Sequence, residues 1–208
     1  MAKLRLPLLS LEARGALGES IVFFPWKGIN VARKYVIPSN PQTGPQLTQR
    51  SYVTAIVAAI HTAQGLAADM LNAGDTTAYS LYSRTLGATM TWFNAIVKQA
   101  IYQWVHALHP VVYGDGTFTA GVDQVTCHLN KWEVMGFGAA GAMNAGNWHY
   151  GTSPTALNTT VAAVIVGASI DNVIAALTTG VKYYFQFRAT AMADFVDTRS
   201  GIYSATPL

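Results

Sequence analysis

Val31-Ala-Arg-Lys-Tyr-Val-Ile-Pro-Ser-Asn-Pro-Gln-Thr-Gly-Pro-Gln-Leu-Thr-Gln-Arg50 is the stretch from which the rest of the chain is read. Val31, Arg33, Tyr35 and Ile37 alternate with Ala32, Lys34 and Val36, a period-two pattern rich in β-branched and aromatic side chains that predicts a strand. Pro38 has no N–H to give a ladder and ends it. Asn40-Pro41 turns the chain. Thr43, with Pro45 in the first turn and Gln46 three residues on, has the spacing of a helix N-terminus. The stretch therefore converts an extended arm into a helix. Gln46, Gln49 and Arg50 lie within one helical turn, placed to hold a neighbouring backbone.

Upstream, Gly15, Gly18 and Gly28 punctuate a β segment in which Ile21 to Phe24 is apolar. Two short strands cannot build a core alone, so residues 1–43 read as an arm lying on the rest of the chain or on another subunit. Downstream, Val53, Ile56, Val57 and Ile60 predict a helix over residues 44–72. Asn72 to Asp75 reads as a stop and restart, with Gly74 as a C-terminal cap. Met90, Phe93, Val97, Ile101, Trp104, Val105 and Leu108 predict one long helix over 76–109, which Gly87 can kink and Pro110 ends. A short loop between two helices predicts an antiparallel helical hairpin over 44–110. Tyr113 to Thr117 reads as a turn cluster and a domain boundary.

From residue 120 the period shortens. Val122–Val134, Asn147–Tyr150, Thr160–Val166, Val173–Leu177, Val181–Thr190 and Ile202–Thr206 are short strand candidates between turn residues, which predicts a β-sandwich over 111–208. The fold class expected is α+β: β-arm, helical hairpin, sandwich.

Charged residues make up 11% of the 208 positions, against roughly 25% in an ordinary soluble domain. Mean hydropathy is positive. A surface so poor in charge is expected to be covered by copies of itself or by a partner. No apolar run reaches the roughly 18 residues of a membrane span, and the opening Met1 to Gly15 is a poor signal peptide, broken by Pro7 and Glu12. Residues 1–50 carry seven Lys and Arg against two Glu, whereas 51–208 carry six against eight Asp and Glu. A basic arm thus precedes a nearly neutral body. Its cations are spread out, not clustered as nucleic-acid binding requires. The lone cysteine, Cys127, excludes an intrachain disulfide and reads as a buried inert thiol.

Several patterns invite chemistry and fall short of it. Gly136-Phe-Gly-Ala-Ala-Gly141 matches G-x-G-x-x-G, but Gly146-Asn147 interrupts any following helix and no Asp or Glu lies between Glu133 and Asp171 to meet a ribose. His106 and His109 lack further ligands at workable spacing, and Cys127 and His128 point to opposite faces of a strand. Asp194 and Asp197 sit beside Arg199 in a loop-like segment. Ser, His and Asp occur without a G-x-S-x-G elbow. Asn158-Thr159-Thr160 fits a glycosylation sequon, which carries little without a secretory signal. No catalytic, cofactor-binding or metal-ligating residue is assigned.

Two resemblances extend this reading. Arg33, Tyr35, Val36, Pro38, Asn40, Pro41, Thr43, Gln46 and Arg50, preceded by the turn Phe24-Pro-Trp-Lys-Gly28, form a pattern that resembles one in uncharacterised structural proteins of tailed phages and prophages. It covers about the first quarter of the chain. It implies a virion structural role, with assembly in the host cytoplasm, and no activity. Leu177 to Tyr183, Tyr184 to Ala189 and Ser200 to Pro207 are similar to the end of a fibronectin type III domain. That similarity implies a tyrosine corner at Tyr183, whose hydroxyl turns back to the backbone. Trp148-His-Tyr-Gly-Thr-Ser153 resembles a strand of the same family. The glycine- and alanine-rich Gly136 to Gly146 departs from it.

The function expected is therefore a non-enzymatic virion protein of a tailed phage, self-assembling or decorating a capsid or tail by arm exchange. Its partners would be itself and other virion proteins. Phe23, Phe24, Trp26, Arg33, Tyr35, Asn40, Gln46 and Arg50 are the assembly residues expected. One alternative is a carbohydrate- or receptor-binding module, with Trp148 and Tyr150 stacking on a cell-surface glycan. Another is an extracellular filament subunit.

Overall fold

The computed structural model describes residues 15–18, 20–27, 29–37, 39–40, 42–65, 71–87, 90–133, 143–190, 195 and 197–208. The chain divides into two compact units, 1–43 and 44–208.

The first unit is a three-stranded antiparallel meander of β1 (Gly15–Leu17), β2 (Ile21–Trp26) and β3 (Ile29–Lys34). Phe23 lies opposite both Gly15 and Ala32, and Trp26 opposite Ile29 at the tip. The last strand is shorter than the Val31–Ile37 alternation predicts: Tyr35 to Ile37 leave the ladder, held by the Tyr35 amide donating to the Ser20 carbonyl at 2.8 Å.

The second unit begins with three helices, α1 (Gly44–Gln64), α2 (Ala73–Thr85) and α3 (Trp92–Val105). The expected two-helix hairpin is thus corrected. The long helix over 76–109 is two, because Gly87 takes φ +68°, a left-handed conformation that leaves the helical path. α3 packs on both α1 and α2. Asn72 also has a different role from the one expected. It is the N-cap of α2: its side chain accepts the Asp75 amide at 3.1 Å while the Asp75 carboxylate accepts the Asn72 amide at 2.9 Å. Gly74 lies inside the first turn of that helix. The buried face of α3 is Ala95, Ile96, Ala100, Gln103 and Trp104, and Val105 is exposed, so the apolar stripe read from sequence is rotated.

Eight strands follow in two antiparallel sheets. They are β4 (Val111–Gly121), β5 (Gln124–Glu133), β6 (Gly146–Gly151), β7 (Thr159–Ala162), β8 (Val164–Val166), β9 (Ser169–Ala175), β10 (Tyr183–Ala189) and β11 (Tyr203–Ala205). One sheet runs β4-β5-β9-β8, the other β11-β10-β6-β7. Val125, Cys127, Leu129, Ile170 and Ile174 of the first meet Trp148, Phe185, Phe187 and Tyr203 of the second in one core. The fold is α+β with antiparallel sheets. A second core joins Ile56, Ile60, Tyr79, Ile96 and Trp104 of the helices to Val112, Leu157 and Ile202. The line expected between residues 110 and 111 therefore runs through shared packing.

Tyr113 to Thr117 is not a boundary loop. It is the middle of β4, where the pairing with β5 slips between Gly114 and Thr117. This bulge has a specific cause. Asp75, completely buried, accepts the Asp115 and Gly116 amides, each at 3.0 Å, and the Tyr203 hydroxyl at 2.6 Å. Asp115 sits at φ +53°. Gly116 has no room for a side chain, since a Cβ there would lie 2.2 Å from the Tyr203 ring. One carboxylate thus caps a helix, fixes a bulge and receives the last strand. Beside it, the Tyr79 hydroxyl bonds both the amide and the carbonyl of Tyr113 at 3.2 Å, acting as a one-residue ladder partner for β4.

Among the described residues no helix is long and apolar enough to cross a membrane.

Candidate functional site: an assembly surface

Within the first unit, β2 and β3 present an apolar tip. Trp26 is 62% exposed and Ile29, its cross-strand partner, 69%. Val36 and Ile37 are exposed as well. Phe23 and Phe24 are half-buried, and the Arg33 guanidinium lies over the Phe24 ring, 5.1 Å from its centroid. Lys27 holds the tip turn at φ +49°, and Lys27, Arg33 and Lys34 are exposed. Among the described residues β1 and β3 are the edge strands of this meander, each a row of backbone groups able to take another strand.

The structure places the eight expected assembly residues in two groups. Phe23, Phe24, Trp26 and Arg33 share the β2–β3 hairpin, with Tyr35 and Asn40 exposed just after it. Gln46 and Arg50 belong to the second unit, on the opening turns of α1, where every residue from Gly44 to Ser51 is exposed. Thr48, Ser51 and Thr54 turn their hydroxyls back onto helix carbonyls at 2.7–3.1 Å, which leaves Leu47 and Val53 as exposed apolar groups on that helix.

The expected glycan-stacking role of Trp148 is corrected. Trp148 is 0% exposed, wedged between Phe118 and Phe187 at ring-centroid distances of 5.7 and 5.8 Å, and has no face to offer a sugar. Period-two alternation assigns residues to two faces but does not say which face is inside. Tyr150 is half-buried against Phe185. Tyr183 accepts the Thr178 amide on its hydroxyl at 3.2 Å, five residues upstream.

Cys127 is buried in the sandwich core, where burial pushes its thiol up to about 12. His128, next along β5, points the other way, onto the outer sheet face. Its Nδ1 lies 2.6 Å from Asp171 and 3.4 Å from the Ser169 hydroxyl, while Nε2 faces Asp115 at 3.9 Å. Ser169 in turn donates to Asp171 at 2.5 Å. Burial raises the Asp171 carboxyl, but these bonds from Ser169 and His128 outweigh it and hold the group below its usual range. The trio has the residue types of a hydrolytic triad without its geometry. Serine and carboxylate share one ring nitrogen, so the imidazole cannot relay a proton between them. Cross-strand register assembled this cluster, and no sequence spacing announces it.

His106 bonds the Tyr102 carbonyl at 2.8 Å, and His109 lies against Phe195. No group of three metal-ligating side chains occurs among the described residues. The G-x-G-x-x-G stretch at 136–141 and Asp194 lie outside them. Sequence reading missed Asp75, although Asn72-x-x-Asp75 has capping-box spacing and was available as a signal.

Comparison of the chain with protein-family models, with curated proteins and with solved structures finds no match.

Proposed function

We propose that this chain is a non-enzymatic structural protein of a tailed-phage virion that assembles, or decorates a capsid or tail, through its N-terminal arm. The observation that carries the reading is the first unit: a compact meander whose edge strands, among the described residues, are β1 and β3, with an apolar tip at Trp26 and Ile29 and exposed Lys27, Arg33 and Lys34. Such a hairpin gains ladder hydrogen bonds and apolar burial when it lies on a neighbouring subunit. The exposed opening turns of α1 offer Gln46, Leu47 and Arg50 beside the segment that leads out of the arm. The paucity of charge and the phage-like pattern from Arg33 to Arg50 support the same reading.

The second unit supports a fibronectin type III-like or immunoglobulin-like sandwich as the outward-facing body. The sheet orders β4-β5-β9-β8 and β11-β10-β6-β7 support that reading. The Tyr183 hydroxyl on the Thr178 amide fits a tyrosine corner.

The test is deletion of residues 1–37, followed by negative-stain electron microscopy and light scattering beside the full chain. The full chain should form regular rings, tubes or shells, and the deletion should leave a folded, dispersed second unit. Normal particles from the deleted chain would reject arm exchange.

A further inference from the structure

Half the cations of the nearly neutral body line one groove. Residues 51–208 contain six Lys and Arg, and three of them, Lys98, Arg188 and Arg199, face a continuous cleft between α2, α3 and the β10–β11 sheet. Its inner part, about 170 Å³, is walled by Arg188, Arg199, Tyr82, Thr85 and Thr155. Its outer part, about 270 Å³, runs on past Leu86, Ala95, Tyr102 and Lys98, with the Asp197 carboxylate on its wall beside Arg199. Tyr82, Leu86 and Arg199 belong to both parts.

The two arginines are set together by the fold. Arg188 and Arg199 are cross-strand partners in an antiparallel bridge. Arg188 is fixed by its Nε–H, which donates to the buried Gln186 side chain at 3.0 Å, and Gln186 is itself held by the Ser200 carbonyl at 3.0 Å. That leaves the outer edge of the guanidinium fork directed away from Gln186. Among the described residues no carboxylate comes within 4.0 Å of Arg188, and Arg199 has only Asp197, exposed and 3.4 Å away. Burial, and then the neighbouring Arg199, push the Arg188 guanidinium down from its ordinary value, and Arg188 and Arg199 likewise lower the half-buried His149 after its own burial. Asp197 offsets part of the repulsion from the Arg199 side, and a further anion reaching Arg188 would offset the rest.

We infer that the Arg188–Arg199 cleft binds an oxyanion, a carboxylate or a phosphate, carried on an apolar stem. The paired forks match the planar edge of either group, with the Tyr82 hydroxyl lining the same cleft as a further donor. The stem lies along Leu86, Ala95 and Tyr102. The source is either a free small molecule or an acidic side chain of a neighbouring polypeptide, and the two present the same chemistry to the cleft.

Isothermal titration of the full chain with inorganic phosphate, phenyl phosphate and the amide of acetyl-leucyl-glutamate tests this. Phenyl phosphate or the peptide should bind saturably and more tightly than inorganic phosphate, and R188Q and R199Q should each weaken it by about tenfold or more. Tighter binding of the peptide identifies a polypeptide source, and tighter binding of phenyl phosphate a small molecule. R199Q, whose contact is an exposed one, carries the result if R188Q disturbs Gln186 and the fold by circular dichroism. Absence of saturation by all three probes up to about 10 mM, or equal affinity in R199Q, overturns the site. Equal binding of inorganic phosphate and phenyl phosphate overturns the stem.

Discussion

The Asp75 carboxylate accepts the Tyr203 hydroxyl at 2.6 Å, joining the first turn of α2 to the last strand across 128 residues of sequence. Three backbone amides, of Asn72, Asp115 and Gly116, complete its shell. Burial, and then the Asp75 charge, push the Tyr203 phenol well above its ordinary value, so it remains the donor throughout the working pH range. Asp75→Ala strands all four donors and should destabilise the second unit by about 3–5 kcal/mol. Tyr203→Phe should cost about 1–3 kcal/mol. Urea unfolding of both variants measures this, and a loss below about 0.5 kcal/mol for Asp75→Ala would show the carboxylate to be dispensable.

Gly116→Ala drives a methyl group into the Tyr203 ring, which the buried hydroxyl contact prevents from moving aside. A loss of about 1–3 kcal/mol in the same urea assay is expected. Gly18→Ala, where nothing lies within 4 Å, reports only the penalty of a positive φ and serves as the contrast.

Trp148→Ala empties the centre of the sandwich and should cost about 3–5 kcal/mol. It should leave glycan-array signals unchanged at temperatures where the variant is folded. A specific loss of glycan binding there would contradict the buried position of the ring.

Cys127 provides a spectroscopic check on the same core. Its thiol, raised to about 12 by burial, should not react with Ellman's reagent at pH 8 in the native protein. One equivalent should appear in denaturant, since the chain has a single cysteine. Full reaction under native conditions would place the thiol outside the core.

The outer sheet face gives a pH dependence of known sign. Asp171 has a folded value below its unfolded one, so its contribution is complete above the unfolded pKa and is lost as pH falls through the folded pKa. Asp171→Asn should remove that part of the acid limb. The effect is small because the side chain is half exposed. Parallel stability–pH curves for wild type and variant between about pH 2 and 5 would exclude the coupling.

The start of α1 was legible before any coordinates. The strand expected to run to Ile37 ends at Lys34, whereas Thr43, Pro45 and Gln46 act within one turn, and local backbone restrictions suffice to mark a helix beginning at Gly44. The same is true of the α+β class and of most strands after residue 120, because a half-buried strand writes its period into the sequence. What failed was everything decided by a distant partner. Tyr113 to Thr117 has turn composition, yet it is strand, because Asp75 supplies the acceptors that the bulged amides need. Trp148 resembles a surface aromatic until Phe118 and Phe187 enclose it.

By itself, the sequence determined where α1 begins, which segments carry helical or strand periods, and how few charges the chain has. Those are local properties of rotamers, prolines and composition. Only the tertiary structure decided which face of each strand is inside, that Gly87 divides a helix, that one buried carboxylate locks α2, β4 and β11 together, and that Arg188 and Arg199 meet. Each of these depends on groups distant in sequence coming within a few ångströms, where burial removes water and makes the pairing of every polar atom decisive.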